Sequence, residues 1–126
     1  MDIEIKILNT LKGWNELINI PDQFPVDIIA LNFGIQRVFD GYEIYLEGYD
    51  WVDKSSEIWL FDIKWTPDLN YIKLGEESLK IDRSEMILKY KEIIGMSIKD
   101  CSFIYPKSVI IITVCDSAGV PEFIIE

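Results

Sequence analysis

Between Asp40 and Asp68 the chain carries eight carboxylates, Asp40, Glu43, Glu47, Asp50, Asp53, Glu57, Asp62 and Asp68, against two lysines, Lys54 and Lys64. Tyr42, Tyr45, Tyr49, Trp51, Trp59 and Trp65 are interleaved with them. Such a stretch could do three kinds of chemistry. Two carboxyl groups held several ångströms apart across a cleft can perform acid/base work on a glycosidic bond. Asp50, Asp53 and Glu57 could offer oxygens to Ca²⁺ or Mg²⁺. Exposed aromatic groups among like charges can anchor a protein partner that the charge has steered in.

The first two uses are weakly supported. With 22 acidic residues in the chain, carboxylate pairs arise by chance. The loop spacing lacks the alternating ligands and glycine bend of an EF-hand, so a solvated acidic loop is expected there, with no metal. The chain has no histidine, which removes the commonest general base near neutral pH and every Ser-His or Cys-His nucleophile. Dinucleotide and phosphate-loop glycine motifs are absent as well. The expectation is a protein without enzymatic activity and without a cofactor.

Composition narrows the partner. A formal charge of −10 repels nucleic-acid phosphates and anionic lipid and speeds encounter with a basic protein. A basic protein is therefore expected as partner, with no nucleic acid and no membrane. The 49% hydrophobic content is that of an ordered chain, and 126 residues fit one domain, 1–126. No apolar run approaches the roughly 20 residues that span a bilayer, and the N-terminal segment is acidic, so the expected compartment is cytoplasmic. Cys101 and Cys115 lack metal-type spacing and are expected as free, buried thiols.

The elements that must position the acidic stretch follow from periodicity. Ile7, Leu8, Leu11, Trp14 and Ile18 predict an amphipathic helix over 4–18, although Ile3, Ile5 and Ile7 also carry a short strand-like alternation. Pro21 and Pro25 close it. A strand is expected over 28–39, and Asp40-Gly41 suits a two-residue hairpin that sets Phe39 opposite Tyr42 and Ile35 opposite Leu46. Phe33, Ile35, Phe39, Tyr42, Ile44 and Leu46 then form a core face, with Arg37 near a sheet end reaching water. The opposite face, bearing Gly34, Gln36, Val38, Glu43, Tyr45 and Glu47, is expected in solvent.

Glu57 to Lys64 reads as a further strand covered on both sides, with Trp59, Phe61 and Trp65 anchoring the core. Thr66 to Glu77 reads as irregular chain with a brief extended piece at 71–74. Asp82 and Glu85 form a capping-box pattern for a second helix over 83–98, with Ile81 and Met86 spaced as a hydrophobic staple and Met86, Ile87, Tyr90, Ile93 and Ile94 as its buried stripe. Val109 to Val114 suits an inner strand, Asp116 to Gly119 a turn, and Val120 to Ile125 a return strand that Pro121 assigns to a sheet edge. The expected fold is α+β: a mainly antiparallel sheet of about five strands with two principal helices packed against it. The candidate partner-binding residues are Glu43, Tyr45, Glu47, Tyr49, Asp50, Trp51 and Asp53.

The run Asn32-Phe33-Gly34-Ile35, Asp40-Gly41-Tyr42-Glu43-Ile44-Tyr45-Leu46-Glu47-Gly48, Tyr49-Asp50 and Trp65-x-Pro67 resembles small bacterial immunity proteins of polymorphic toxin loci, including those of contact-dependent growth inhibition systems. The resemblance covers about residues 30–67. It implies a non-catalytic protein that protects its producer by binding one cognate toxin domain, often a nuclease. An acidic inhibitor suits a basic nuclease because it can occupy the surface that holds phosphates. The alternatives are a non-catalytic housekeeping oligomeric or regulatory subunit and, behind it, a carboxylate-based hydrolase. No feature of the sequence specifies an oligomeric state.

Overall fold

The computed structural model describes residues 2–116 and 119–126. Helix α1 spans Ile3–Ile18 and begins where the Asp2 carboxylate accepts the Glu4 N–H at 2.8 Å, satisfying one of the amide groups that a helix start leaves unpaired. Ile3, Ile7, Leu11, Trp14 and Ile18 are buried along one stripe, while Ile5 and also Leu8, expected on that stripe, are exposed. The helical period therefore prevails over the strand-like alternation at Ile3, Ile5 and Ile7. Helix α2 spans Arg83–Lys99 and buries Met86, Tyr90, Ile93, Ile94 and Ser97. The expected capping box is at most weakly made: the Asp82 carboxylate takes no cap hydrogen bond of full geometry and accepts the Ser84 hydroxyl at 2.6 Å, while the backbone amides of Ser84, Glu85 and Arg83 add weaker interactions that help hold its carboxyl below the ordinary value.

The strands are β1 (Ala30–Val38), β2 (Gly41–Tyr49), β3 (Ile72–Lys73), β4 (Ile111–Asp116) and β5 (Glu122–Ile125), in the spatial order β3-β2-β1-β4-β5. The five strands and two helices make an α+β fold, but its sheet is mixed. The central strand β1 and its neighbour β4 run parallel, with Ala30 beside Ile111 and Gly34 beside Cys115. Strand β4 reaches that position after the chain has passed through α2, the long connection that a parallel pair needs. Strand β5 lies at the edge and follows Pro121, as expected. Ser117 and Ala118 of the expected last turn lie outside the described residues.

The β1–β2 hairpin differs from expectation in register. Val38 pairs with Gly41, Arg37 with Tyr42 and Ile35 with Ile44, so Phe39 and Asp40 form the loop and Gly41 is already a strand residue. Phe39, expected in the core, is fully exposed at the tip. The cause lies beyond the hairpin. Gly41 has φ +144°, and a Cβ there would stand 2.3 Å from the Gly75 carbonyl oxygen and 2.7 Å from Ser78 Oγ. The Ser78 hydroxyl also accepts the Tyr42 N–H at 2.9 Å. A 3₁₀ turn at Glu76–Lys80 thus docks on the start of β2 through the space that only glycine leaves open. The register moves by two residues, so the sheet faces are preserved.

One face is covered by both helices. Leu31, Phe33, Ile35, Ile44, Leu46, Ile112 and Val114 are buried there with Trp14, Tyr90 and Phe103 in the main core. Trp14 also donates its indole N–H to the Leu69 carbonyl at 2.8 Å, fastening the irregular chain after β2 to α1.

Candidate functional site

The opposite face was expected in water, and much of it is buried. Tyr45, Glu47 and Tyr49 on β2 are 8%, 7% and 0% exposed. The segment that covers them is the one expected to be a strand. Residues 58–61 form a 3₁₀ turn instead, and Trp59 inserts beneath it, buried and edge-on to Tyr49 at a ring separation of 4.8 Å. Ala30, Tyr49, Trp59 and Ile111 make a second, smaller core. Trp65 packs partly buried on the main core, and its backbone pairs with Gly48 in an isolated bridge. Phe61, the third expected anchor, is 86% exposed. A 3₁₀ turn has three residues per repeat, so residues two apart, such as Trp59 and Phe61, point in different directions, whereas in a strand they would share a face.

The cover is incomplete and leaves a cleft of about 440 Å³ over the middle of the sheet. Its floor is set by strand register. Glu47, Asn32 and Thr113 are neighbours across β2, β1 and β4, and Tyr45, Gly34 and Cys115 form the next row. Glu57, Leu60 and Phe61 line one side, and Asp116, Gly119 and Val120 the other. Gly34 makes the floor possible: a Cβ there would fall 2.0 Å from the Tyr45 ring. The ring lies across the glycine and stacks on Tyr71 at 5.4 Å.

Four polar groups of this floor, on Thr113, Asn32, Cys115 and Glu47, are held by hydrogen bonds. The Thr113 hydroxyl donates to Asn32 Oδ1 at 2.8 Å, and Asn32 Nδ2 donates to Cys115 Sγ at 3.4 Å. Glu47 accepts from the hydroxyls of Tyr49 at 3.0 Å and Tyr71 at 3.3 Å. Burial raises the Glu47 carboxyl above its ordinary range, and the two tyrosine hydroxyls oppose that shift. Burial likewise raises the Cys115 thiol, partly offset by the Asn32 amide, which leaves Cys115 a poor nucleophile. Cys101 is exposed, contrary to expectation, and both thiols are free.

The sequence-predicted residues thus divide. Glu43, Tyr45, Glu47 and Tyr49 share one face of β2, a line of about 20 Å at the strand repeat. Glu43 is half-buried and accepts from the Gln36 side chain. Asp50 and Asp53 are half-buried beyond the end of β2, where Asp53 closes a turn on the Ser55 N–H at 2.9 Å. Trp51 is 38% exposed and donates to Asp62 at 2.8 Å. Sequence reasoning missed Asn32, Thr113 and Asp116 because they come from strands whose adjacency depends on the parallel β1–β4 pair. Among the described residues, no cluster of three or more cysteine, aspartate or glutamate side chains is placed to hold a metal ion, and no helix is long and apolar enough to cross a membrane. No protein-family model, curated protein or solved structure matches the chain.

Proposed function

We propose that this is an immunity protein, cytoplasmic in its producer, that binds and neutralises a cognate bacterial toxin domain by protein–protein contact. The toxin fitted best is a basic nuclease. The observation that carries this reading is the composition of the second sheet face: a cleft lined by Glu47, Glu57 and Asp116, with no lysine or arginine among its described lining residues, and with exposed Phe61 and Val120 on its walls. Charge of one sign draws in a basic surface, and exposed aromatic side chains supply contact area at low entropic cost. A nuclease must be basic where it holds phosphates, so an acidic partner competes for that surface.

The test is coexpression with the toxin-like reading frame encoded directly upstream. Restored growth and a one-to-one complex are the expected results. A neighbouring toxin that kills equally well in the presence of this protein, with no complex recovered, overturns the reading.

A further inference from the structure

We propose that the cleft on the second sheet face receives one cationic side chain, an arginine or lysine, projecting from the protein partner. This deepens the immunity reading and rests on it for the partner's identity, but the recognition chemistry belongs to the cleft alone. Tyr45 is 8% exposed and lines the cleft, yet its hydroxyl has no hydrogen-bond partner among the described residues. Tyr49 and Tyr71, its neighbours on the same face, both direct their hydroxyls to Glu47. Within the fold, Tyr45 keeps an acceptor and a donor unused.

Charge selects the ligand. Glu47 is 7% exposed and forms no ion pair among the described residues. Asp116, by contrast, meets Arg83 at 3.5 Å, so the uncompensated charge lies with Glu47 on the floor and Glu57 on the wall. Buried carboxylates are ordinarily paired with a cation, and among the described residues no lysine or arginine lines this cleft. The walls select the shape. Leu60, Phe61 and Val120 offer an apolar passage for a methylene stem, and the Phe61 ring offers a face on which a guanidinium can stack.

The test uses the intact protein without any toxin, so its outcome is separate from that of the rescue experiment. Amide and side-chain NMR spectra are followed while N-acetyl-arginine methylamide is added, with the isosteric, neutral citrulline derivative as control. The arginine compound is expected to shift the Asn32 side-chain amide and the Tyr45 and Phe61 ring signals saturably, and the citrulline compound is not. Glu47→Gln should weaken the effect at least about tenfold, as loss of a charge-assisted hydrogen bond does, and Tyr45→Phe should weaken it less. Both variants keep the shape of the floor, and their amide spectra establish that they fold. Equal shifts with citrulline, shifts confined to another surface, an unchanged response in Glu47→Gln, or no response overturns the proposal.

Discussion

Tyr49 and Glu47, two residues apart on β2, meet on the same sheet face with the tyrosine oxygen 3.0 Å from Glu47 Oε1. The same hydroxyl lies 3.2 Å from the Leu60 carbonyl. A phenol has one proton to donate, so with Glu47 ionised the two acceptors compete for it. The segment that roofs the cleft is therefore tied to β2 through a bond that the carboxylate also claims.

A glutamine at position 47 resolves the competition. Its amide can donate to the Tyr49 oxygen, freeing the tyrosine proton for the Leu60 carbonyl, and no charge remains to be desolvated. Glu47→Gln is expected to stabilise the fold at neutral pH by about 1 kcal/mol, the low end of the penalty for a buried unsatisfied acceptor. Urea unfolding checks this through a higher midpoint at unchanged slope.

The same residue gives a signed pH dependence. Burial raises the Glu47 carboxyl in the folded state, so between its unfolded and folded values the native protein binds more protons, and stability falls as pH rises. The loss begins near the ordinary carboxyl value and is complete once pH has passed the raised one. The stability difference between Glu47→Gln and the unaltered protein should therefore grow with pH through that window and level off above it. Unfolding curves for both proteins, taken at successive pH values, should converge at the acid end.

Tyr90 presents a simpler case. Its ring is wholly buried on α2, and its hydroxyl has no hydrogen-bond partner among the described residues. Burial raises its phenol well above the ordinary value. Tyr90→Phe removes the orphaned oxygen with little change of shape, and an unpaired buried hydroxyl costs about 1–3 kcal/mol. The variant is expected to unfold at higher temperature, and calorimetry would show it.

How much of this was legible in the sequence depended on the range of the interactions. Helix α1 and the stripe of α2 were legible because their periodicity is local, and β5 was assigned to an edge from Pro121. The hairpin register was not, because Gly41 is claimed by Gly75 and Ser78, more than thirty residues on. The parallel β1–β4 pair was missed for a related reason: the continuous apolar run of β4 reads as an inner strand in either direction. Of the site, the tyrosine and glutamate line on β2 was visible as alternation. Its burial was not, because the cover comes from a 3₁₀ turn whose aromatic content reads as a strand.

Gly34 tests the close approach that builds the cleft floor. An alanine Cβ would stand 2.0 Å from the Tyr45 ring carbon that bears the hydroxyl, so the ring must leave its place over β1. Overpacking of this kind costs about 1–3 kcal/mol. Gly34→Ala is expected to lower the unfolding midpoint and to shift the Tyr45 and Tyr71 ring signals together, since the two rings are stacked.

Trp59 and Phe61 lie two residues apart, and the sequence treats both as core anchors, yet one is buried and the other is 86% exposed. Their alanine variants should therefore separate. Trp59→Ala removes the side chain that joins the cover to Tyr49, and loss of a buried aromatic costs about 3–5 kcal/mol. The indole N–H of Trp59 has no hydrogen-bond partner among the described residues, so packing is what this side chain contributes, and the loss should appear as stability alone. Phe61→Ala removes surface, where effects stay within about 0.5 kcal/mol. If Phe61 is instead a contact residue for the partner, its deletion leaves unfolding unchanged and weakens the complex by about 1–2 kcal/mol, the range separating a hot spot from neutral contacts. Denaturant unfolding of the free variants and titration against the partner measure the two quantities independently. Equal destabilisation by the two alanine substitutions would contradict the 3₁₀ turn and restore the covered strand.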